Sequence, residues 1–319
     1  MQLTHPPGAA GARIVGLGDY RPTRVVTNEE LSRRVDTDDQ WIRERTGIAE
    51  RRIAESETVA DMATEAAAKA LADSGLAAGE IDLIVAATCS AENRLPGIAA
   101  VVAGRLGMPA PGAYDLNAAC AGFCYALANA ADAIRAGNAR RVLVIGVEKL
   151  SDITDWDDRS TCIIFADGAG AAVVEASDSP GIGPVAWGSD GARSDTITCL
   201  ADDPYLRMEG PAVFRWATTS LTAVGRRACE LAGITTRDLD ALVLHQANLR
   251  IMDSLARSLG VRDKVLARDI VEAGNTSAAS IPMAMTRMRN SGEIASGDLA
   301  LLLAFGAGLT YAGQVVRIP

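Results

Sequence analysis

"ALADSGLAAGEIDLIVAATCS", residues 70–90, returns in outline as "ACELAGITTRDLDALVLHQAN", residues 228–248. In each copy a helix-like run stops on a glycine (Gly75, Gly233), an Asp stands seven positions later (Asp82, Asp240), and that Asp opens a short apolar strand. Further along, "FADGAGAAVVEA" (165–176) is echoed by "FGAGLTYAGQVV" (305–316). Echoes that recur in one order predict a duplicated α/β unit with pseudo-twofold symmetry. We place the division after residue 176, giving an N-terminal half 1–176 and a C-terminal half 177–319.

Around this repeat the chain alternates buried strands with helices. "IDLIVAA" (81–87), "RVLVIGV" (141–147), "CIIF" (162–165), "AAVVEA" (171–176), "LDALVL" (239–244) and "LALLLAF" (299–305) are near-continuous apolar runs, the pattern of strands covered on both faces. Val59, Met62, Ala63, Ala66, Ala70 and Leu71 recur at helical spacing before Gly75, as do Leu221, Val224, Ala228 and Leu231 before Gly233. The fold class is therefore α/β.

Composition narrows the function. The 319 residues are 49% hydrophobic and 22% charged, enough for a large core. A formal net charge of −9 argues against nucleic acid as a general partner, since phosphate binding needs excess Lys and Arg. Six cysteines without a CxxC pair and only two histidines indicate no metal site and no redox motif. No apolar run reaches 18 residues and "MQLTHPPGAAGARIVG" shows no leader pattern, so the expected compartment is the cytoplasm, with no membrane partner.

The candidate chemistry begins at Cys120 in "AACAGFCYALANAADAIRAG" (118–137). A free Cys is most often a small buried hydrophobe, which is how Cys124 reads. Cys120 stands where the helical run begins, and a helix N-terminus lowers a thiol pKa. The repeat sets Cys120 opposite Asn275 in "GNTSAAS" (274–280), where Asn serves either chemistry or a helix cap. His245 follows "ALVL" at the C-terminal end of a strand, where α/β sheets place their ligands. The other histidine, His5, stands in a Pro/Gly-rich tail, so His245 is the imidazole available. The GxG pairs in 165–176 and 305–316 read as strand-to-strand turns rather than dinucleotide loops, and "RIVGLGDYRP" is a weak GxG.

"AACAGFCYAL", "HQANLRI", "GNTSAAS" and "FGAGLTYAG", in this order and spacing, closely resemble β-ketoacyl-[acyl carrier protein] synthase III, an initiating condensing enzyme of the thiolase superfamily. "TDDQWIRERTGIAERRIA" and "DDRSTCIIFADGAGAAVV" extend the resemblance over essentially the whole chain. It implies a five-layered αβαβα thiolase fold, a homodimer, and two substrates, an acyl-CoA and malonyl-[acyl carrier protein], with no cofactor. Residue by residue it implies Cys120 as nucleophile, His245 and Asn275 as the decarboxylation pair, and backbone N–H groups of Cys120 and Gly308 as the oxyanion hole. Phe305 would be a gatekeeping aromatic, against simple core packing. Trp41, Arg45, Arg159 and Asn248 would bind CoA, although an exposed charged helix is the plainer reading of the segment around Trp41.

An acidic carrier protein needs a local positive face. Arg250, Arg257, Arg262, Lys264 and Arg268 stand against only Asp253 and Asp263 in residues 250–268, so Arg250 and Arg257 are expected docking residues, or else part of an ordinary solvated helix face. Three departures from the family pattern bear on the substrate. Pro211 replaces a polar residue near the CoA arm, and the stretch 190–208 is short. Leu95 stands where an aromatic projects into the neighbouring subunit's acyl pocket, which would admit a longer or branched primer. The same residues would also serve a polyketide starter-unit synthase, or an acyltransferase to an alcohol or amine.

Overall fold

The computed structural model describes residues 7–319, and His5 lies outside the described residues. Two five-stranded sheets carry the repeat. The first contains β1 (Gly11–Tyr20), β2 (Leu83–Ala87), β3 (Gly112–Leu116), β4 (Arg141–Lys149) and β5 (Asp167–Ser177), ordered β1-β5-β4-β2-β3. The second contains β6 (Ala186–Gly188), β7 (Ala241–Leu244), β8 (Val265–Leu266), β9 (Leu299–Gly306) and β10 (Thr310–Arg317), ordered β6-β10-β9-β7-β8. Order and direction repeat: β2 is parallel to β3 and β4, β7 is parallel to β8 and β9, and the remaining pairs are antiparallel.

The paired aspartates explain why the echo is so legible. Asp82 Oδ2 accepts the N–H groups of Arg140 and Arg141 at 2.8 and 2.9 Å, and Asp240 Oδ2 accepts that of Leu299 at 2.9 Å. Each Asp therefore opens its own strand and satisfies the first donors of the neighbouring one.

Six helices complete the frame: α1 (Asp39–Thr46), α2 (Val59–Ser74), α3 (Gly122–Arg135), α4 (Gly210–Leu231), α5 (Leu249–Leu259) and α6 (Ser280–Asn290). α2 covers the outer face of the first sheet, α4 covers the outer face of the second with α5 packed on it, and α3 and α6 form the layer between the sheets. This is the five-layered αβαβα thiolase-like fold. α2 is set by a reciprocal cap between Thr58 and Asp61 and stopped by left-handed Gly75. Its alanine face lies close on β1 because a Cβ at Gly16 or Gly18 would strike the backbone of Ala70 or Ala66, so the weak GxG of "RIVGLG" is a packing groove.

Two expectations change. "CIIF" is not a strand: residues 162–164 form a turn, and Phe165 makes an isolated parallel bridge to Asn275. The glycines of 165–176 lie inside β5 rather than in a strand-to-strand turn, because α6 presses on them; a Cβ at Gly170 would meet Pro282 and Met283. Gly306–Leu309 is the strand-to-strand turn expected.

Candidate active site

The nucleophile candidate sits on a tight turn. Residues Ala119–Ala121 form a single 3-10 turn ahead of α3, and Ala119 takes φ +46°, a region that non-glycine residues avoid. The Asn117 side chain holds it, Oδ1 accepting the Ala119 N–H at 3.0 Å. Across the cleft Gly306 lies against the Cys120 backbone nitrogen, where any Cβ would collide. The expected lowering of the Cys120 thiol by a helix N-terminus is not what the geometry gives. Burial pushes it up to about 12, with the Ser277 hydroxyl favouring the thiolate and Glu148 opposing it. Cys124, one turn into α3, is fully buried in the central core and is packing.

The pseudo-symmetry pairs these residues differently from the expectation. Ser277 repeats Ala119, with φ +47° and its N–H given to the Asn275 Oδ1 at 2.9 Å. Asn117 therefore corresponds to Asn275, and Cys120 to Ala278. Asn275 does not cap a helix; its Oδ1 caps this turn, which leaves the Nδ2 group as its free donor. Its backbone exchanges hydrogen bonds with Ile164 and Ala166 on either side of Phe165, at 3.0 and 2.9 Å.

His245 leaves β7 beside β9, its N–H donated to the Leu303 carbonyl at 2.9 Å. The ring is only 2% exposed and meets Phe305 edge-on at 5.5 Å between centroids. Burial lowers its pKa to about 3, so the imidazole is neutral at physiological pH. Nδ1 lies 2.8 Å from the Ser280 Oγ, which also accepts the Gln246 N–H at 3.3 Å. With Ser280 donating its hydroxyl hydrogen to Nδ1, the ring proton sits on Nε2.

Cys120, His245, Asn275 and Phe305 share one cavity of about 780 Å³. Its inner end is apolar, with Leu150, Phe165, Leu206 and Met208 among the lining residues. Part of that wall is the hairpin Ile197–Leu200/Asp203–Met208, so the short stretch 190–208 covers the cavity. Pro211 also lines it, in the first turn of α4.

At the mouth, the indole of Trp41 carries guanidinium groups of Arg159 at 4.9 Å and Arg45 at 5.3 Å. α1 is moored to the second half, since a side chain at Gly47 would strike Leu249 and the Asn248 Nδ2 donates to the Arg45 carbonyl at 2.9 Å. Asn248 lines the cavity, but its side chain also caps α5 at the Arg250 N–H. Arg250 lies over the Phe214 ring at 5.2 Å at the cavity rim, and Arg257 is exposed two turns further along the same face of α5.

Gly308 and Leu95 do not line this cavity. Gly308, at φ +69°, turns the chain into β10, whereas Gly306 and Ala307 form the wall beside Cys120. The second oxyanion donor was expected at Gly308; of the two residues it is Ala307, one position earlier, that lines the cavity. Leu95 is 86% exposed. Sequence reasoning passed over Asn117, Ser277, Ser280 and Ala307. The first was within reach, because "LNAACAG" and "GNTSAAS" align at the same offset as the paired glycines and aspartates.

Residues 114–191 match the family model of 3-oxoacyl-[acyl-carrier-protein (ACP)] synthase III, and residues 229–318 match that family's C-terminal model. The chain is 54% identical to beta-ketoacyl-[acyl-carrier-protein] synthase III 4 of Streptomyces coelicolor over 97% of this chain and 99% of that protein. Among solved structures, the priming beta-ketosynthase of the R1128 polyketide pathway superposes with a TM-score of 0.97 at 44% identity, covering 100% of this chain and 99% of that one. The 3-oxoacyl-[acyl-carrier-protein] synthase III of Aquifex aeolicus gives 0.93 at 42%, covering 96% of this chain and 100% of that one.

Proposed function

The chain belongs to the 3-oxoacyl-[acyl-carrier-protein] synthase III family, and from that premise we propose that it condenses an acyl-CoA primer with malonyl-[acyl carrier protein], with loss of CO₂, to begin fatty acid biosynthesis. The observation that carries this reading is the single cavity joining Cys120 to a neutral His245 and a donating Asn275, apolar at one end and cationic-aromatic at the other.

The CoA nucleotide is held at Trp41 with Arg159 and Arg45, and the acyl chain enters the apolar end. The Cys120 sulfur attacks the thioester carbonyl, and the oxyanion is met by the backbone N–H groups of Cys120 and Ala307. CoA departs and malonyl-carrier enters past Arg250 and Arg257. Loss of CO₂ leaves an enolate whose oxygen accepts hydrogen bonds from the His245 Nε2–H and the Asn275 Nδ2. A neutral imidazole suits this, because a buried imidazolium would carry a large desolvation cost. The enolate carbon then attacks the acyl-enzyme and releases the 3-oxoacyl thioester. The chemistry as written uses no metal or redox group.

The exposed Leu95 supports a homodimer in which it reaches a partner's acyl pocket, and the equivalence of the two sheets supports dividing the chain near residue 176. A polyketide starter-unit role is the second reading, favoured by the similarity to the R1128 enzyme. Intact-mass analysis with an acyl-CoA panel, followed by malonyl-carrier, tests the reaction class. The expected result is an adduct on Cys120 that disappears in Cys120→Ala and is discharged as a 3-oxoacyl-carrier. Adduct transfer without loss of CO₂ would mark a simple acyltransferase instead.

A further inference from the structure

Glu148, near the C-terminal end of β4, is completely buried, and the groups that hydrogen-bond to it are neutral. Its Oε2 accepts the Cys89 N–H at 3.1 Å and the Ser90 hydroxyl at 2.6 Å, both in the loop that follows β2. Ser90 Oγ is itself the acceptor of the Lys149 N–H at 2.8 Å, so its own hydrogen points to the carboxylate. Oε1 accepts the Ser277 hydroxyl at 2.9 Å, from the left-handed residue of the Asn275 turn. Ser277 in turn gives its N–H to Asn275 Oδ1 at 2.9 Å. Burying a carboxylate without a cation is costly, and these hydrogen bonds offset the cost. One carboxylate thus ties a loop of the first half to the turn of the second half that carries Asn275.

The duplication shows that this tie is no part of the shared frame. Leu83 of β2 faces Val142 of β4, and Ala241 of β7 faces Ala300 of β9. Counted equally from these pairs, Glu148 corresponds to Gly306, just as Ser277 corresponds to Ala119. In the copy that carries Cys120 the two positions are a bare close approach, since a Cβ at Gly306 would lie 3.0 Å from the Ala119 Cβ. In the copy that carries Asn275 they are a carboxylate and a hydroxyl in hydrogen bond. Gly146, two positions before Glu148 and so on the same face of β4, lets the Ala278 carbonyl close on the strand. The turn with the extra anchor is the one whose amide has a right and a wrong orientation, because a flipped Asn275 would aim an acceptor where the enolate needs a donor.

We propose that Glu148 is a positioning residue for condensation: by holding the Ser277 hydroxyl it sets the turn whose N–H fixes Asn275 Oδ1 and leaves Nδ2 for the second substrate. The proposal deepens the condensing reading above and rests on it. Glu148 itself does not line the cavity, whereas Ser277 and Asn275 do, so its effect reaches the substrate only through them.

The test is a double-mutant cycle on the two half-reactions, with single-turnover acylation of Cys120 and discharge of the adduct by malonyl-carrier measured separately. Ser277→Ala removes the hydroxyl at a backbone angle that Ala119 already tolerates, so this variant should fold. Glu148→Gln keeps the side-chain shape, and with its amide oxygen turned to the donors of Cys89 and Ser90 its NH2 faces Ser277. Each single variant should acylate within a few-fold of wild type with its KM for acyl-CoA retained, and discharge the adduct about tenfold more slowly. The double variant should discharge no more slowly than the slower single one, because both changes cut the same link. Unchanged discharge in Ser277→Ala overturns the proposal and leaves the condensing reading intact. Losses that multiply to about 100-fold in the double variant overturn the route through Ser277. Equal losses in both half-reactions mark a general distortion and also overturn it. A wild-type enzyme that acylates and never discharges to a 3-oxoacyl product overturns the condensing reading and this proposal with it.

Discussion

Ala119 and Ser277 hold the same left-handed backbone, at φ +46° and +47°, each with its N–H taken by an Asn side chain two residues earlier. Cys120 and Asn275 thus stand on two copies of one strained turn, which is how a duplicated fold gives unlike residues matching mounts. A left-handed non-glycine residue costs on the order of 1–3 kcal/mol. Glycine at 119 would remove that cost but add unfolded-chain freedom worth about 0.5–1 kcal/mol. Ala119→Gly should therefore leave the unfolding free energy from urea titration unchanged or raise it by up to about 2.5 kcal/mol, whereas Ala119→Val should lower it clearly and abolish acylation.

Asn275 gives Oδ1 to its own turn, which leaves Nδ2 as a donor for the enolate of the proposed reaction. Asn275→Ala should leave Cys120 acylation within a few-fold of wild type but slow condensation by about 100-fold or more, as for loss of one oxyanion donor. Asn275→Asp should be no better, because it offers an ionised acceptor where a donor is needed. Single-turnover measurements of the two half-reactions separate these effects, and equal losses in both would refute the assignment.

His245 should contribute no limb to the pH profile of condensation between about pH 5 and 8, since its native pKa is lowered to about 3. Below the ordinary value of 6.5 the unfolded chain binds a proton that the native site refuses, so this residue makes stability fall as pH drops from about 6.5 toward 3. Urea titrations at about pH 7 and 5 should show that dependence reduced in His245→Gln. Ser280→Ala, which frees Nδ1, should reduce condensation about tenfold with the acyl-CoA KM retained, through loss of the Nε2–H tautomer.

At the mouth, Arg159 rests directly on Trp41 at 4.9 Å and donates to the Asp36 carbonyl at 2.8 Å. A purine held between Trp41 and Arg159, as in the proposed function, would part that contact. Trp41→Ala should raise the KM for acyl-CoA about tenfold, a loss of 1–2 kcal/mol, yet leave an acyl-pantetheine thioester unaffected. Steady-state kinetics with the two thioesters decides it.

The duplicated architecture was readable because apolar strands and Gly/Asp punctuation are local signals. The turns that carry Cys120 and Asn275 were not, because a left-handed Ala or Ser leaves no compositional trace. Pairing Cys120 with Asn275 followed from similar surroundings, and the offset that joins Gly75 to Gly233 would have led to Ala278. Gly308 was expected at the cavity wall and Ala307 stands there instead, because "GAG" does not disclose which residue of a tight turn faces inward. Ser277 and Ser280 are ordinary letters in the sequence; only the folding of the Asn275 turn against β7 sets one in that turn and the other on His245 Nδ1.

The bridge between Phe165 and Asn275 couples two measurements that an enzyme normally keeps apart. Phe165 belongs to the apolar wall of the cavity, and the next peptide on either side is tied to the backbone of Asn275. A ring displaced at 165 would pull on the peptides that mount Asn275. Cavity wall and amide thus share one anchor, so a substitution at Phe165 is expected to alter both primer preference and the carbon–carbon bond-forming step.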